Sequence, residues 1–350
     1  MDDLQLLRGM RNEVGSAPQA TLARGREKVM AKVTQPSPIE AKRANAAQGT
    51  IGSIRIRRRI LLASAAAALA GALVASDVLN LGGAAPVTAH AAALLNHAAD
   101  STLAMSDPPV GEGQYLKLDM AESTTISSEG GLAWSARSTS QLFVPHDRGG
   151  EWVMNIGPLE PSEYYGTTTK EKVHEYYAAL GLPTPAEPGR QMRGPAGQFL
   201  FSENSLSFAN LSPQKAAAIP KEPTALLEWI KTEIHGTDDS AWSFIAEQLA
   251  TGVVPAEWRA ALYRAAAIVP GATITEQQAI LDGLTGTAIG RTENGVRTDV
   301  ILDPKSGLFI GMRVVNETGN STIPAGTTTA WTAVKTTITN DAPDGRYPRD

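Results

Sequence analysis

The sequence contains no cysteine among its 350 residues. This absence excludes disulfide bridges, thiolate metal sites, a cysteine nucleophile and a lipid-modified cysteine at a membrane. A chain of this kind must be held together by its hydrophobic core alone. The roughly 260 residues that follow the long apolar stretch near the N-terminus are enough to build one or two domains.

Motifs that carry catalysis are also missing. The chain has no G-x-S-x-G elbow, no Walker-type phosphate loop and no G-x-G-x-x-G that opens a helix. "HDR" at 146–148 precedes two glycines and is typical of an exposed turn, and the carboxylates of Asp238 and Asp239 suit the start of a helix. We therefore predict that the protein is not an enzyme and holds no cofactor.

Histidine is scarce as well, with five in the whole chain. His90 and His97 lie seven residues apart on a predicted helix, so they point to roughly one side of it. A metal site would need two further ligands from distant parts of the chain. We predict no metal site and interpret both residues as part of a helix surface.

The longest apolar stretch runs from Ile60 to Ser76 and meets its first charge at Asp77. Its length is at the short end of the roughly 17–25 residues that span a bilayer. Including the apolar residues just beyond Asp77, we predict a transmembrane helix over residues 60–81. A small-x-small pattern ending at Ala91 leaves a cleaved export signal as one alternative, and a buried helix of a soluble protein is another.

The charges around this stretch predict its orientation. Arg55, Arg57, Arg58 and Arg59 stand directly before it, and residues 60–85 contain no lysine or arginine. By the positive-inside bias, residues 1–59 would lie in the cytoplasm and residues 86–350 outside. The sequence thus predicts a single-pass protein of the cell membrane with three parts: a cytoplasmic arm, the membrane helix and an external domain. The arm is predicted as two short helices and a linker, and an unstructured basic tail is the alternative.

The two ends of the chain differ in charge. Residues 1–59 hold 12 of the 31 Lys and Arg but only 5 of the 36 Asp and Glu, a net charge of +7, so residues 60–350 carry −12. A basic arm fits an anionic membrane surface or an acidic partner. The acidic remainder argues against nucleic-acid binding.

The external part combines two periodicities. Polar and apolar residues alternate in segments such as 113–123, 132–145 and 151–158, which predicts antiparallel strands. Apolar residues recur at helical spacing from residue 220, with Thr224 as a predicted helix cap, and strands return after residue 271. Residues 197–211 are predicted as two further strands. The fold class expected is α+β: a curved, half-barrel-like antiparallel sheet with a helical insertion.

Large side chains on these strands suggest where a ligand could bind. Trp134, Trp152, Met154 and Phe199 are candidates to line a groove for a lipid or a peptide. Packing in the core is the alternative explanation for each of them.

Several stretches together resemble a known family. They are "LARGREKVMAKV", "IRIRRRILLASAAAALA", "AAALLNHAAD", "IPKEPTALLEWI", "PAEWRAALYRAAAIVPG" and "LDPKSGLFIGMRVV". In their order they are similar to actinobacterial single-pass membrane proteins of uncharacterised function that are often encoded beside extracytoplasmic-function sigma factors. The strand–helix–strand exterior also resembles the half-barrel of lipoprotein carriers and periplasmic sigma regulators.

The resemblance implies two functions. One is an exported sensor or binding domain that acts as an accessory in envelope signalling, with a cytoplasmic sigma factor or regulator as partner of the arm. The other is a membrane-anchored carrier or chaperone whose ligand is a lipid or a lipoprotein. The arm lacks the zinc signature of sigma-sequestering domains, so an accessory role is favoured over direct sigma inhibition.

Overall fold

The computed structural model describes residues 87–128, 130–181, 189–200, 206–341 and 343. These residues form one large antiparallel sheet with helices packed on one of its faces. The strands are β1 Tyr115–Ser127, β2 Ala133–Pro145, β3 Glu151–Ile156, β4 Glu160–Tyr165, β5 Arg190–Pro195, β6 Thr273–Leu281, β7 Leu284–Glu293, β8 Val296–Leu302, β9 Phe309–Asn316 and β10 Thr327–Thr339. The helices are α1 Ala89–Met105, α2 Lys170–Ala179, α3 Pro213–Ala218, α4 Pro223–Glu233, α5 Asp238–Ala250 and α6 Ala256–Ala266, with a 3₁₀ turn at Gln198–Leu200.

The sheet is ordered β5-β3-β2-β1-β10-β9-β8-β7-β6, and β4 pairs with the other end of β2. Two meanders, β1–β5 and β6–β10, are therefore joined where the first and last strands pair. Tyr115 lies opposite Thr339 and Thr124 opposite Ala330 along that junction. The helical segment between the meanders does not interrupt the sheet, because its helices lie across one face.

This helix-covered face contains the main hydrophobic core. Apolar side chains of α1, α4, α5 and α6 pack against Ile289, Val300, Leu302 and Met312 of the sheet. Trp242 of α5 is 1% exposed, and its indole N–H donates to the carbonyl of Thr298 at 2.8 Å. These contacts pack the four helices directly onto the strands.

Local sequence explains where the helices begin. The Thr237 hydroxyl accepts a hydrogen bond from Ser240 N at 3.4 Å and starts α5, with Asp238 and Asp239 in its first turn as predicted. The predicted cap Thr224 of α4 is wrong. Pro223 occupies the start of α4, where a missing N–H costs nothing, and the Glu222 carboxylate caps the helix instead.

The two strands predicted in residues 197–211 are also not found in the described part of that segment. Gln198–Leu200 forms a 3₁₀ turn, and residues 201–205 lie outside the described residues. Phe208 is fully buried, and its backbone N donates to the Gln248 side chain at 2.9 Å. Its apolar neighbours therefore anchor a loop to the helices rather than alternate along a strand.

The predicted membrane helix, residues 60–81, lies outside the described residues, as do the arm 1–59 and the four orienting arginines. No helix in the described part of the chain is long and apolar enough to cross a bilayer. The longest, α1, has 17 residues, and its mixed sequence buries only one stripe, at Ala91, Leu95, Ala98, Ala99 and Thr102.

We therefore correct both predictions that depended on a span. Over the described residues, the fold class is a ten-stranded antiparallel sheet with a few helices, and this part of the chain contains no helix that could serve as the membrane helix of the predicted class. The predicted location, a single-pass protein of the cell membrane, has no support in the described structure. Ala91, the end of the alternative cleavage site, is a fully buried residue of α1.

Candidate functional site

A cavity lies on the face of the sheet opposite the helices, which we call the open face. It forms because the β6–β7 hairpin bends over the sheet. β6 shifts register twice against β7, between Ile274 and Glu276 and between Glu276 and Ala279, and such bulges bend a strand. The tip of the hairpin reaches β2, where Asp282 accepts a hydrogen bond from Arg137 at 3.5 Å.

Gly311 permits this close approach. A Cβ atom at that position would lie 2.4 Å from Cδ2 of Leu281 in the hairpin and 2.2 Å from the backbone oxygen of Thr332. Any side chain would therefore push the hairpin away from β9. Leu281 instead packs with Ala288 and Ile301 in a small cluster beneath the bend.

The cavity has a volume of about 610 Å³, within the usual range of small-molecule sites. Its walls come from strands of both meanders, so it exists only when the whole sheet has formed. The lining residues are Ser123, Ser135, Arg137, Ser162, Glu163, Tyr165, Ile280, Leu281, Asp282, Arg313, Thr327, Thr328 and Trp331. We call this cavity the open-face pocket.

One wall of the pocket is a chain of hydroxyl groups. Ser135 Oγ lies 3.1 Å from the Thr125 hydroxyl and 2.8 Å from the Tyr165 hydroxyl. Tyr165 in turn donates to the Glu163 carboxylate at 3.1 Å. Burial is the main cause that raises the pKa of Tyr165 above its ordinary value, so the phenol stays protonated at neutral pH and can donate.

The opposite wall carries two arginines with different surroundings. The Arg137 guanidinium lies over the Trp331 ring, 4.9 Å from its centroid, and is half exposed. Arg313 is 12% exposed and donates to Glu276 at 2.7 Å and to Asp299 at 2.8 Å. Burial alone would lower the pKa of Arg313, but the hydrogen bonds to Asp299 and Glu276 outweigh burial and raise it. Both arginines thus already have carboxylate partners.

Asp299 fixes Arg313 from beneath the pocket. Its side chain is fully buried, and it accepts hydrogen bonds from Arg297 Nε at 3.0 Å, Arg313 Nε at 2.8 Å and the Thr275 hydroxyl at 2.9 Å. Gly290 on β7 makes room for the carboxylate, since a Cβ there would lie 1.9 Å from Asp299 Oδ1. The guanidinium of Arg313 is therefore held in one orientation before any ligand arrives.

The four residues predicted to line a groove lie elsewhere. Trp152, Met154 and Phe199 belong to one cluster, in which a Cβ at Gly197 would lie 2.4 Å from the Trp152 ring. Trp134 belongs to another, where it packs against Tyr176 and Tyr177 of α2. The structure therefore does not bring the four together, and the groove they were expected to form stays a prediction.

Sequence reasoning missed the residues that line the open-face pocket. The alternation in 132–145 did place Ser135 and Arg137 on the polar side of a strand, opposite Trp134 and Ala136, and the structure confirms this. Their position beside Asp282 and Trp331 in the pocket depends on the β6–β7 hairpin, which bends over the sheet. No local pattern in the sequence predicts that contact.

Among the described residues, no group of three or more His, Asp or Glu side chains is arranged to hold a metal ion. His97, one of the two helix histidines, lies with its Nε2 atom 3.1 Å from the backbone oxygen of Lys305. Its ring thus contacts the β8–β9 turn.

Comparison with known proteins gives little. No family model matches the sequence, and no curated protein matches it. Among solved structures, a DUF1329 family protein of Desulfovibrio piger is a weak structural neighbour, with 11% sequence identity and a TM-score of 0.17 over 72% of this chain and 95% of that one. A similarity this low carries no argument about function.

Proposed function

We propose that the domain is a non-catalytic binding module for a polar, hydroxyl-rich small molecule of the carbohydrate class, held in the open-face pocket. The observation that carries the proposal is the composition of the pocket: hydroxyl groups, paired charges and one indole ring around a cavity of about 610 Å³.

The charges of the pocket favour an uncharged ligand. Arg137 is paired with Asp282, Arg313 with Glu276 and Asp299, and Glu163 accepts from Tyr165. A charged ligand would have to compete with these partners. A ligand with many hydroxyl groups can instead donate to the carboxylates and accept from the guanidinium groups without separating the pairs.

The aromatic and hydroxyl groups complete this match. Trp331 offers a flat apolar surface, against which the C–H face of a sugar ring would pack. The hydroxyls of Ser123, Ser135 and Tyr165 act as donors or acceptors, as sugar hydroxyls do. A site built of such groups rejects ligands that leave them unpaired, because buried polar groups without partners are costly.

The same features argue against the carrier function implied by the resemblance, if the cargo is a lipid. An acyl chain needs an apolar cavity, and such a carrier would hold the chain between the sheet and the helices. In the structure, apolar side chains of α1, α4, α5 and α6 pack directly on the strands there. The open-face pocket is lined mainly by polar residues.

Binding is proposed rather than catalysis because the carboxylates of the pocket are occupied. Asp282 is paired with Arg137, and Glu163 accepts from Tyr165. A carboxylate that is held by such a partner is not free to exchange a proton with a substrate. The resemblance suggests a sigma factor or regulator as the partner of residues 1–59. These residues lie outside the described part of the chain, so this partner stays a prediction.

The test is a binding measurement on the full chain. Native mass spectrometry against glucose, maltose, cellobiose and N-acetylglucosamine would find a binder, and isothermal titration calorimetry would measure its affinity. We expect one site per chain for at least one sugar. Trp331→Ala should weaken binding more than about tenfold, a loss of at least about 1.4 kcal/mol.

Arg137→Ala and Arg193→Ala form a matched pair for the same experiment. Both arginines lie on strands and pair with a carboxylate, at 3.5 Å for Arg137 and 3.0 Å for Arg193, but only Arg137 lines the pocket. We expect weaker binding from the first substitution and unchanged binding from the second. If no sugar binds, or if Trp331→Ala binds as well as the wild type, the proposal is wrong.

A further inference from the structure

A second cavity lies at the other end of β1 and β2, against the connection between α5 and α6. It has a volume of about 200 Å³ and shares no lining residue with the open-face pocket. Its polar lining consists of Arg148, Arg259, His146 and Asp107, while Leu116 and Val253 are among its apolar walls. We call it the two-arginine pocket.

Arg148 is unusual because its charge is mostly buried without a carboxylate in contact. Its Nη2 group donates to the backbone oxygens of Ala209 at 3.1 Å and Val253 at 2.6 Å, and its guanidinium stacks on the Trp152 ring at 5.2 Å. No described carboxylate lies within 4.0 Å of it. Burial is the main cause that lowers the pKa of Arg148, with nearby Arg259 acting in the same direction and Asp107 opposing.

The guanidinium of Arg148 therefore has N–H donors without an acceptor among the described residues. An arginine carries five N–H groups, and those on Nε and Nη1 of Arg148 have no acceptor among the described residues. A buried charge with unused donors is costly unless another group compensates for it. An anion in the cavity would supply that compensation.

The rest of the lining leaves the pocket positive. Arg259 donates to Asp107 at 2.7 Å and to the backbone oxygen of Val254 at 2.7 Å. The second oxygen of Asp107 accepts from Ala256 N at 2.8 Å, so this carboxylate caps α6 and is fully engaged. Two guanidinium groups thus face one carboxylate, and the His146 ring adds no negative charge.

We infer that the two-arginine pocket binds a small oxyanion of the phosphate class, held by the guanidinium groups of Arg148 and Arg259. Guanidinium groups form paired, charge-assisted hydrogen bonds with phosphate oxygens. The cavity of about 200 Å³ has room for inorganic phosphate or a small phosphomonoester. The apolar walls strengthen the attraction by lowering the local dielectric constant. This site does not depend on the function proposed for the open-face pocket.

The experiment is calorimetry of the full chain with inorganic phosphate, with sulfate and acetate for comparison. We expect one saturable phosphate site whose affinity falls as sodium chloride is added. Arg148→Gln and Arg259→Gln should each weaken binding at least about tenfold. The control is Arg264→Gln on the same helix as Arg259, since Arg264 pairs with Asp100 at 2.9 Å outside the pocket. Phosphate binding that is absent, or equally strong in Arg148→Gln, would overturn the inference.

A second measurement covers the case in which Arg148→Gln does not fold. The arginine Nε–H resonances of the wild-type chain are followed by NMR during a phosphate titration. The resonances of Arg148 and Arg259 should move together with one dissociation constant. Changes spread over exposed arginines such as Arg193 and Arg264, with Arg148 unmoved, would show nonspecific binding and contradict the inference.

Discussion

The two faces of the sheet differ in the kind of side chain that they carry. On the helix-covered face, Val300, Leu302 and Met312 pack beneath helices in a continuous apolar core. On the open face, the neighbouring positions Asp299 and Arg313 carry charges that are satisfied by each other. The side chains of β8 and β9 alternate between these two environments, so a shift of one residue would exchange them.

This difference separates stability from recognition. Apolar burial on the helix-covered face supplies the main favourable free energy of folding. The open face contains a smaller apolar cluster around Leu281 and Ile301, and its paired charges and hydroxyls are preorganised around a cavity. We therefore expect substitutions on the helix-covered face to change the free energy of unfolding, and substitutions in the open-face pocket to change binding.

The largest expected effect comes from Trp242→Ala in the core. Removal of a buried tryptophan typically costs about 3–5 kcal/mol of unfolding free energy, and here the Thr298 carbonyl also loses its partner. Urea unfolding followed by circular dichroism measures the change. Trp331→Ala on the open face is the control and should cost about 1 kcal/mol or less. Equal losses of unfolding free energy in the two variants would contradict the distinction between the two faces.

Asp299→Asn tests the charged network of the open face. The substitution leaves Arg297 and Arg313 facing a neutral amide in a fully buried position, and we expect a loss of roughly 2–4 kcal/mol. Asp119→Asn, whose pair with Lys117 is partly exposed, should cost under about 1 kcal/mol. Urea unfolding of both variants gives the comparison. An Asp299→Asn variant as stable as the wild type would show that the network contributes nothing.

Gly311→Ala tests whether the close approach of the hairpin forms the pocket. The added methyl group would collide with Leu281 and the Thr332 carbonyl, and we expect a loss of about 1–3 kcal/mol together with weaker sugar binding. Gly130→Ala is the control, since the nearest atom to its Cβ lies at 3.7 Å. Thermal unfolding and calorimetry measure the two effects. Unchanged binding in a destabilised Gly311→Ala variant would separate the pocket from the hairpin.

The smallest expected effect concerns a carboxyl group on the helix-covered side. Glu122 follows Leu118 and Met120 on that face of β1, and burial raises its pKa above the ordinary 4.5. A raised folded-state pKa means that stability is greatest at low pH and falls as pH rises through that value. Glu122→Gln should therefore be more stable than the wild type at pH 7, by about 0.5 kcal/mol, and equal at pH 3.5.

Thermal unfolding between pH 3.5 and pH 8 measures this difference. Glu112→Gln, which removes an exposed carboxylate from a loop, is the control and should follow the wild type at every pH. A Glu122→Gln variant that is less stable at pH 7, or whose difference does not depend on pH, would contradict the assignment.

Much of the local structure could be predicted from the sequence because it depends on short-range patterns. The alternation in 132–145 placed Trp134 and Arg137 on opposite faces of β2. The β8–β9 turn contains Asp303, Pro304 and Gly307, residue types that favour turns, and Gly307 has a φ of 70°. These features depend on side-chain period and backbone preference, which neighbouring residues determine.

The features that could not be predicted depend on contacts between residues that are distant in the sequence. Arg148 was expected in an exposed turn, yet it is drawn into the domain by carbonyls of Ala209 and Val253, more than 60 positions away in the chain. The pocket likewise needs β6–β7 to fold over Gly311. The membrane prediction weighed an apolar stretch that lies outside the described residues, and no described helix supports it.

The most direct test of the central claim is hydrogen–deuterium exchange of the full chain with and without the tightest-binding sugar. A ligand in the open-face pocket should slow exchange in the hairpin tip 280–282, in 327–331 of β10 and in 162–165 of β4, and leave α4, α5 and α6 unchanged. Slower exchange confined to the helices, or unchanged exchange at the hairpin tip under saturating sugar, would contradict the account.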